Sequence, residues 1–403
     1  MSANSLTKVN GASDGCPKGM NNALFLSDIP STPSLWNGGS DPDIQFFDEN
    51  SPTEKVFRGL SSPEILERVD RSSPKSPFFG KIGQNGVIQQ FSAILATALK
   101  SSRHLVEKTA LLLTGPPSAG KTDLAKCLIR GLDLPTIETD GKQITSTNSV
   151  FEFVKDTLNE DKLSFPVLGE RNGKSLYKLP PSVLFIDEIH GLRPTVMDAL
   201  LKALESKDCT LVTDDAYVDC TNLLWIGATT ERGIILANKP AFDTRFRKIE
   251  FDSYSREEIV EIVKLNFPSW EYSECQEIVS KSSYIIREAI QLGQIVESQF
   301  ELMSLSGRPT RMDAIHKVVE QIGINEHGLN KTQMRVLQLL AKKHPNGATY
   351  GHICSSIKKG VEELKQAILP GLMFSADGKK PFVVWNGYTT ITEEGLELVK
   401  NGN

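Results

Sequence analysis

Cysteine is scarce and scattered in this 403-residue chain: Cys16, Cys127, Cys209, Cys220, Cys275 and Cys354, with no Cys-x-x-Cys pair among them. This spacing argues against a disulfide framework or a zinc ribbon and fits a reducing compartment. No apolar run approaches the roughly 18 residues that would span a bilayer. The N-terminus also lacks the basic-then-apolar layout of a secretory signal. A basic excess is missing too. The net charge is −5, so no overall positive field marks the chain for nucleic acid, although a local basic surface remains open. The expectation is a soluble, cytoplasmic protein with no membrane partner. Its length suffices for two or three domains with full-sized cores.

What is present divides along the chain. Residues 1–76 are rich in Ser, Pro, Asn, Gly and Asp, their apolar residues have no period, and residues 1–75 carry seven Lys/Arg against ten Asp/Glu. They read as a largely disordered tail. Two apolar islands, Ala23-Leu24-Phe25-Leu26 and Ile44-Gln45-Phe46-Phe47, are either docking segments or sticky points in a linker. Order is expected from Phe78 onward. Helical spacing covers 87–99, 149–158 and 195–206, and Gly131 is a candidate C-cap. Residues 162–181 read as a loop carrying Arg171, Lys174 and Lys178, with Phe165 and Tyr177 among them. It is either a plain surface loop or the lining of a channel. Between these segments lie fully apolar strands, so residues 77–251 are predicted to form a doubly wound α/β sheet. After Phe251 the strands stop. Ser255-Arg256-Glu257-Glu258 forms a capping box, and helical patterns fill 252–325. Residues 326–403 show three helices, then Pro381-Phe382-Val383-Val384-Trp385, Asn386-Gly387 and Tyr388-Thr389-Thr390-Ile391, a hairpin signal. That order describes a winged helix.

The chemistry concentrates at three strand ends. Leu111-Leu112-Leu113-Thr114 runs into Gly115-Pro116-Pro117-Ser118-Ala119-Gly120-Lys121-Thr122, with a helix pattern behind it. This is Gly-x-x-x-x-Gly-Lys-Thr in strand-loop-helix context, a phosphate-binding loop. Backbone N–H groups curl around phosphate oxygens, and the helix N-terminus faces the same anion. Lys121 is expected on the β- and γ-phosphates of ATP and Thr122 on Mg²⁺. Val183-Leu184-Phe185-Ile186 ends in Asp187, a second Mg²⁺ ligand, and Glu188, which would polarise the attacking water. Leu223-Leu224-Trp225-Ile226-Gly227-Ala228-Thr229 ends at Thr230, either a γ-phosphate sensor or a plain strand terminus. Arg245 is either a residue that acts on a neighbouring subunit's nucleotide or half of a structural ion pair.

Gly-Pro-Pro-x-x-Gly-Lys-Thr, Phe-Ile-Asp-Glu-Ile-His and Ile-Gly-Ala-Thr-Thr, in this order, resemble the AAA+ ATPases and, more narrowly, the RuvB family of Holliday-junction branch-migration motors. Ile82-Gly83-Gln84 and Arg245-Phe246 extend the similarity, as does Gly328-Leu329-Asn330, over about residues 78–403. The resemblance implies a large ATPase domain, a helical lid and a winged helix, in subunits that close into a ring, normally a hexamer. It places Ile82 beside ATP and makes Arg287, in Ile286-Arg287-Glu288-Ala289, the lid's sensor arginine.

The chain also departs from the family. Thr213-Asp214-Asp215-Ala216-Tyr217 stands where the family has an arginine-bearing hairpin. Asn386-Gly387-Tyr388 replaces its arginine-bearing wing, and the partner-docking hairpin is not obvious. Lys358, Lys359, Lys365, Lys379 and Lys380 are candidate phosphate contacts for sequence-independent DNA binding. The winged helix alternatively contacts protein. The leading expectation is therefore an ATP-driven motor on duplex or branched DNA, nucleoid-associated, with a junction-binding or replication partner protein. The alternative is a clamp-loader- or initiator-like ATP switch that loads a partner on DNA without translocating.

Overall fold

The computed structural model describes residues 60–100, 110–160, 167–205, 209–373 and 381–401. The apolar islands at 23–26 and 44–47, Phe165, Lys379 and Lys380 lie outside them. Strands run, in chain order, β1 (Ala110–Thr114), β2 (Thr136–Asp140), β3 (Val167–Arg171), β4 (Lys174–Lys178), β5 (Ser182–Asp187), β6 (Thr210–Val212), β7 (Ala216–Asp219), β8 (Leu223–Thr229), β9 (Arg247–Glu250), β10 (Val383–Trp385) and β11 (Thr389–Ile391). Five of them form a parallel sheet in the order β2-β5-β8-β1-β9.

This sheet is apolar on both faces because helices cover both. Leu111, Leu113, Val183, Phe185, Leu224 and Ile226 point to the side of helices Asn85–Lys100 and Lys121–Leu132. Leu112, Leu184, Ile186, Leu223 and Trp225 point to the side of helices Thr147–Glu160 and Pro194–Leu200. The period-two alternation of strands thus feeds two separate apolar layers. The strands' C-terminal ends all open on one edge, where such sheets place their ligands.

Several expectations are corrected. Order begins before Phe78. Helix Ser62–Val69 starts from a capping box in which the Ser61 backbone N–H and hydroxyl both donate to Glu64. Leu60, Ile65 and Val69 pack on the sheet's first layer. Arg71 then bonds Asn85 and the carbonyl of Lys81. Gly131 is no C-cap, because the helix runs past it and ends at Asp133 in the left-handed region. A Cβ at Gly131 would lie 2.9 Å from Leu95 and from Pro77, so the glycine serves helix–helix approach. The helix expected over 195–206 closes at Leu200.

The stretch expected as a loop at 162–181 is largely sheet. Asn172 (φ 51°) and Gly173 (φ 73°) are both left-handed, the turn that matches strand twist. They join β3 to β4 in a second, mixed sheet ordered β3-β4-β7-β6. Two of its basic residues are engaged: Lys174 donates to the Thr213 carbonyl at 2.8 Å, and the Arg171 guanidinium lies over Tyr217. Tyr177 packs on Phe151 with ring centres 5.4 Å apart.

Helices Arg256–Asn266, Tyr272–Lys281, Ile286–Ser304 and Arg311–Ile322 share a cluster built on Val263, Trp270, Ile278, Val296 and Ile315. The capping box at Ser255 and Glu258 opens the first of them. The last described segment holds helices Lys331–Lys343 and Tyr350–Ile357, a helical run from Val361 to Met373, and β10–β11, around Val336, Leu340, Ile353, Leu364 and Leu372. This is the winged-helix arrangement. The run from Val361 contains a π turn, Leu364–Ile368. Pro370 follows it and cannot donate the next backbone bond, which explains the widening. The wing loop spans three residues, since Trp385 pairs directly with Thr389, and Gly387 takes φ 93°. The expected two-residue turn is therefore one residue short.

The lid helices and the winged helix meet closely. Gly328 has φ 77°, and a Cβ there would sit 2.3 Å from the Ser280 carbonyl oxygen. Ser283 Oγ donates to the Gly328 carbonyl at 2.9 Å. Ser283 also fills the space a Gly371 side chain would need, 2.8 Å from its Cβ.

Phe91 is the centre of the first layer, fully buried between Phe78 and Phe251 at 6.2 and 6.4 Å. Phe91→Ala is expected to cost about 3–5 kcal/mol of stability, measured as a lowered urea midpoint with an unchanged m-value.

Candidate active site

The loop between β1 and helix Lys121–Leu132 has the backbone its glycines imply. Gly115 has φ 152°, with the Phe251 carbonyl oxygen 2.5 Å from where a Cβ would stand. Gly120 has φ 83° beneath the Tyr254 hydroxyl, and Ser118 is left-handed at φ 61°. Pro116, Pro117 and Ala119 complete the loop. Lys121 opens the helix and is 8% exposed. Its Nζ donates to the carbonyls of Gly115 and Pro116 at 2.9 and 2.7 Å. Burial pulls the Lys121 pKa down to about 8, opposed by Glu188 and Asp187 and reinforced by Arg287. Arg287 is thus close enough to be felt at the loop although its side chain is exposed.

Thr122 Oγ1 donates to Asp187 Oδ2 at 3.1 Å. These are hard oxygen donors from the first helical turn and from the end of β5, a donor set suited to Mg²⁺ together with phosphate oxygens. Asp187 Oδ1 accepts the Glu188 N–H at 2.9 Å. Glu188 is itself left-handed at φ 44°, so the chain leaves the strand abruptly and turns this carboxylate away from the Asp187 direction. The His190 imidazole beside it holds the Glu188 pKa below the usual carboxylate value, against partial burial, with further help from Lys121 and the Thr230 N–H.

His190 and Thr229 are the residues the sequence reading passed over. His190 Nδ1 lies 2.9 Å from Thr229 Oγ1 and 3.1 Å from Glu188 Oε2. One ring nitrogen serves both, and it is aligned on Thr229, which leaves Oε2 at ion-pair distance without an aligned donor. Thr229 Oγ1 also accepts the Glu231 N–H at 3.0 Å. Gln84 and Tyr254 were missed as well. Gln84 Nε2 donates to the Asp252 and Ala119 carbonyls at 2.6 and 3.3 Å, tying the loop to the lid connection. Ile82 lies two residues before it, half-buried. The signal for Gln84 was present in Ile82-Gly83-Gln84; Tyr254 had none.

The structure therefore brings together Lys121, Thr122, Asp187, Glu188, the Thr230 backbone and the charge of Arg287. It does not bring Arg245 into that group. Arg245 is half-exposed and pairs with Glu205 at 3.5 Å, on a corner fixed by buried Asp243, which binds Arg232 at 2.8 Å and Lys248 at 3.1 Å. Of the candidate DNA lysines, Lys358 is exposed and left-handed, while Lys359 pairs with Glu363 at 2.7 Å. Lys365 departs from expectation: it pairs with Glu231 at 3.1 Å instead of standing free.

Residues 111–253 match the family model described as ATPase family associated with various cellular activities (AAA). The chain is 25% identical over 357 residues to the Holliday junction branch migration complex subunit RuvB of Anaeromyxobacter sp. strain K, covering 85% of this chain and 93% of that protein. It is 24% identical to the Campylobacter lari subunit, over 82% of this chain and 89% of that one. Among solved structures, the RuvB branch migration motor of Thermotoga maritima shares the fold with a TM-score of 0.61, at 23% identity, covering 79% of this chain and 95% of that one.

Gly115→Ala is expected to lower the melting temperature and to weaken binding of a fluorescent nucleotide at least about tenfold, because a left-handed position and the Phe251 carbonyl both reject a Cβ. Thermal melting and nucleotide titration of the same variant check it.

Proposed function

We propose, on the premise that this chain is a divergent RuvB-like AAA+ ATPase, that it is an ATP-driven motor on duplex or branched DNA. Its subunits assemble into a ring, a hexamer by analogy with the family, and work in the cytoplasm at the nucleoid with a junction-binding or replication partner. The observation that carries the reading is the convergence of Lys121, Thr122, Asp187, Glu188 and Thr230 on one sheet edge, in a chain that also holds a lid and a winged helix. Residues 77–251, 252–325 and 326–403 are the proposed working units.

The chemistry follows from these side chains. The loop N–H groups and Lys121 bind the triphosphate, with Lys121 exchanging the Gly115 and Pro116 carbonyls for phosphate oxygens. Thr122 and Asp187 would hold Mg²⁺, which when bound offsets phosphate charge. Glu188, ionised and oriented by the Thr230 N–H and His190, accepts a hydrogen bond from the attacking water and directs it. Arg287 places a positive charge from the lid beside the phosphates, so that loss of the γ-phosphate changes what the lid is attracted to. Arg245 is the proposed residue that reaches a neighbouring subunit's nucleotide, at the cost of its weak, half-exposed pair with Glu205. Lys358 and Lys359 are proposed to meet DNA phosphates, together with Lys379 and Lys380.

The second reading, a loader that binds DNA without translocating, is favoured by one feature: the β6–β7 turn, Thr213-Asp214-Asp215, carries acids where the family carries an arginine. A four-way junction assay separates the two. A motor migrates the branch with ATP; a loader binds the junction and leaves it unmoved.

Lys121→Ala is expected to abolish ATP binding. Glu188→Gln is expected to keep binding and to lower the hydrolysis rate about 10²–10⁴-fold. Equilibrium titration and steady-state phosphate release measure the two, and equal nucleotide affinity for wild type and Lys121→Ala would overturn the site assignment.

A further inference from the structure

Lys365 is a winged-helix cation that reaches the sheet edge. Its Nζ is 3.1 Å from Glu231 Oε2, and the same ammonium lies 5.7 Å from the centre of the Tyr350 ring. Tyr350 stacks on Trp385 of the wing at 6.3 Å, and Trp385 is 53% exposed. Glu231 is no ordinary surface acid. Its N–H donates to Thr229 Oγ1 at 3.0 Å, Thr229 Oγ1 meets His190 Nδ1 at 2.9 Å, and His190 Nδ1 is 3.1 Å from Glu188 Oε2. A series of contacts therefore links Glu188 to the wing: the ion-pair approach of His190 to Glu188, the His190–Thr229 hydrogen bond, the Glu231 backbone N–H on Thr229, the Glu231 side chain on Lys365, and Lys365 over the Tyr350 ring.

The Glu231–Lys365 pair has the character of a contact that can be exchanged. Both side chains are about three-quarters covered, 26% and 28% exposed, so the cost of desolvating both charges offsets much of their attraction, and an anion that supplies more negative charge can replace the carboxylate. A DNA phosphate is such an anion. It takes a lysine from the front of a winged helix and is favoured further by release of condensed counterions.

We propose that Lys365 is a shared cation with two alternative partners, Glu231 in the free chain and a DNA backbone phosphate in the complex, so that DNA binding frees Glu231 and alters how His190 and Thr229 hold Glu188. The inference rests on the DNA-binding reading above and adds to it a route from the wing to the hydrolytic carboxylate. Lys365 is a binding residue in this scheme, and Glu231 is a positioning residue that acts through Thr229 and His190.

The test is a double-mutant cycle on the full chain with Glu231→Gln, Lys365→Gln and the pair together. Binding is read by fluorescence anisotropy of a labelled duplex across a salt series, and ATP hydrolysis is read with and without DNA. Glu231→Gln is expected to bind DNA about 3–10-fold more tightly, because Lys365 no longer has to be taken from a carboxylate. Its DNA-free hydrolysis rate is expected to move at least about twofold towards the wild-type rate with DNA. Lys365→Gln is expected to bind more weakly, with the slope of log K against log salt smaller by about 0.9. The double variant should match Lys365→Gln, since the gain from removing Glu231 requires the lysine. An equal gain from Glu231→Gln in the Lys365→Gln background would mean general charge repulsion and would overturn the shared-cation inference. So would a Glu231→Gln variant that only melts lower, with DNA affinity and basal rate unchanged. A wild-type chain that binds no DNA at any salt would overturn the DNA reading and this inference with it. Wild-type binding with additive single effects would overturn this inference alone.

Discussion

The site depends on β8 lying between β1 and β5. Because the order is β5-β8-β1, the phosphate loop and the carboxylate pair arrive on either side of one strand, and that strand's end fills the space between them. Register makes the arrangement exact to a residue: Thr114 pairs with Thr229 and Ile186 with Gly227. Gly227 matters here. A Cβ on it would lie 2.6 Å from Ile189 Cδ1, so the glycine admits the buried Ile189 against the sheet. Ile189 in turn anchors the short turn that carries Glu188 on one side and His190 on the other. The Glu188 carboxylate is thus held by packing beneath it and by the Thr230 N–H and His190 beside it.

The charges at the edge balance through proximity. Lys121 is buried deeply enough for desolvation to lower its pKa, while the charges of Glu188 and Asp187 oppose that shift and the Thr122 hydroxyl bonds Asp187. A cation that burial has partly destabilised gains the more when anionic oxygens approach. The loop is therefore tuned to a strongly negative ligand and is a poor host for a neutral one. Tyr254 and Gln84 close the loop from the lid side, which makes the connection between sheet and lid part of the binding wall.

Much of this was readable in the residues. Motifs such as Gly115 to Thr122 and Asp187-Glu188 state their geometry locally, because glycine positions and strand ends are short-range properties. Long apolar strands announce themselves for the same reason. What escaped was structure stabilised by remote contacts. Helix Ser62–Val69 is too short to show a period and rests on Leu60, Ile65 and Val69 meeting a distant layer. The β3–β4 hairpin hides behind charged residues whose partners, Thr213 and Tyr217, come from forty residues further on, even though Asn172-Gly173 marks the turn as clearly as Asn386-Gly387 does in the wing. His190 and Thr229 could not be paired from sequence because only the strand order sets them side by side. The Glu231 partner of Lys365 escaped for a related reason: a lysine's partner is a tertiary fact.

The close seat of Gly328 on the Ser280 carbonyl has a mechanical consequence. With no side chain between the two backbones and Ser283 wedged against Gly371, the lid and the winged helix have no soft layer at their joint. A rotation starting at the lid end near Arg287 would therefore pass to the wing as a rigid-body turn, as a crank turns a small angle at the short arm into a longer stroke at the far tip.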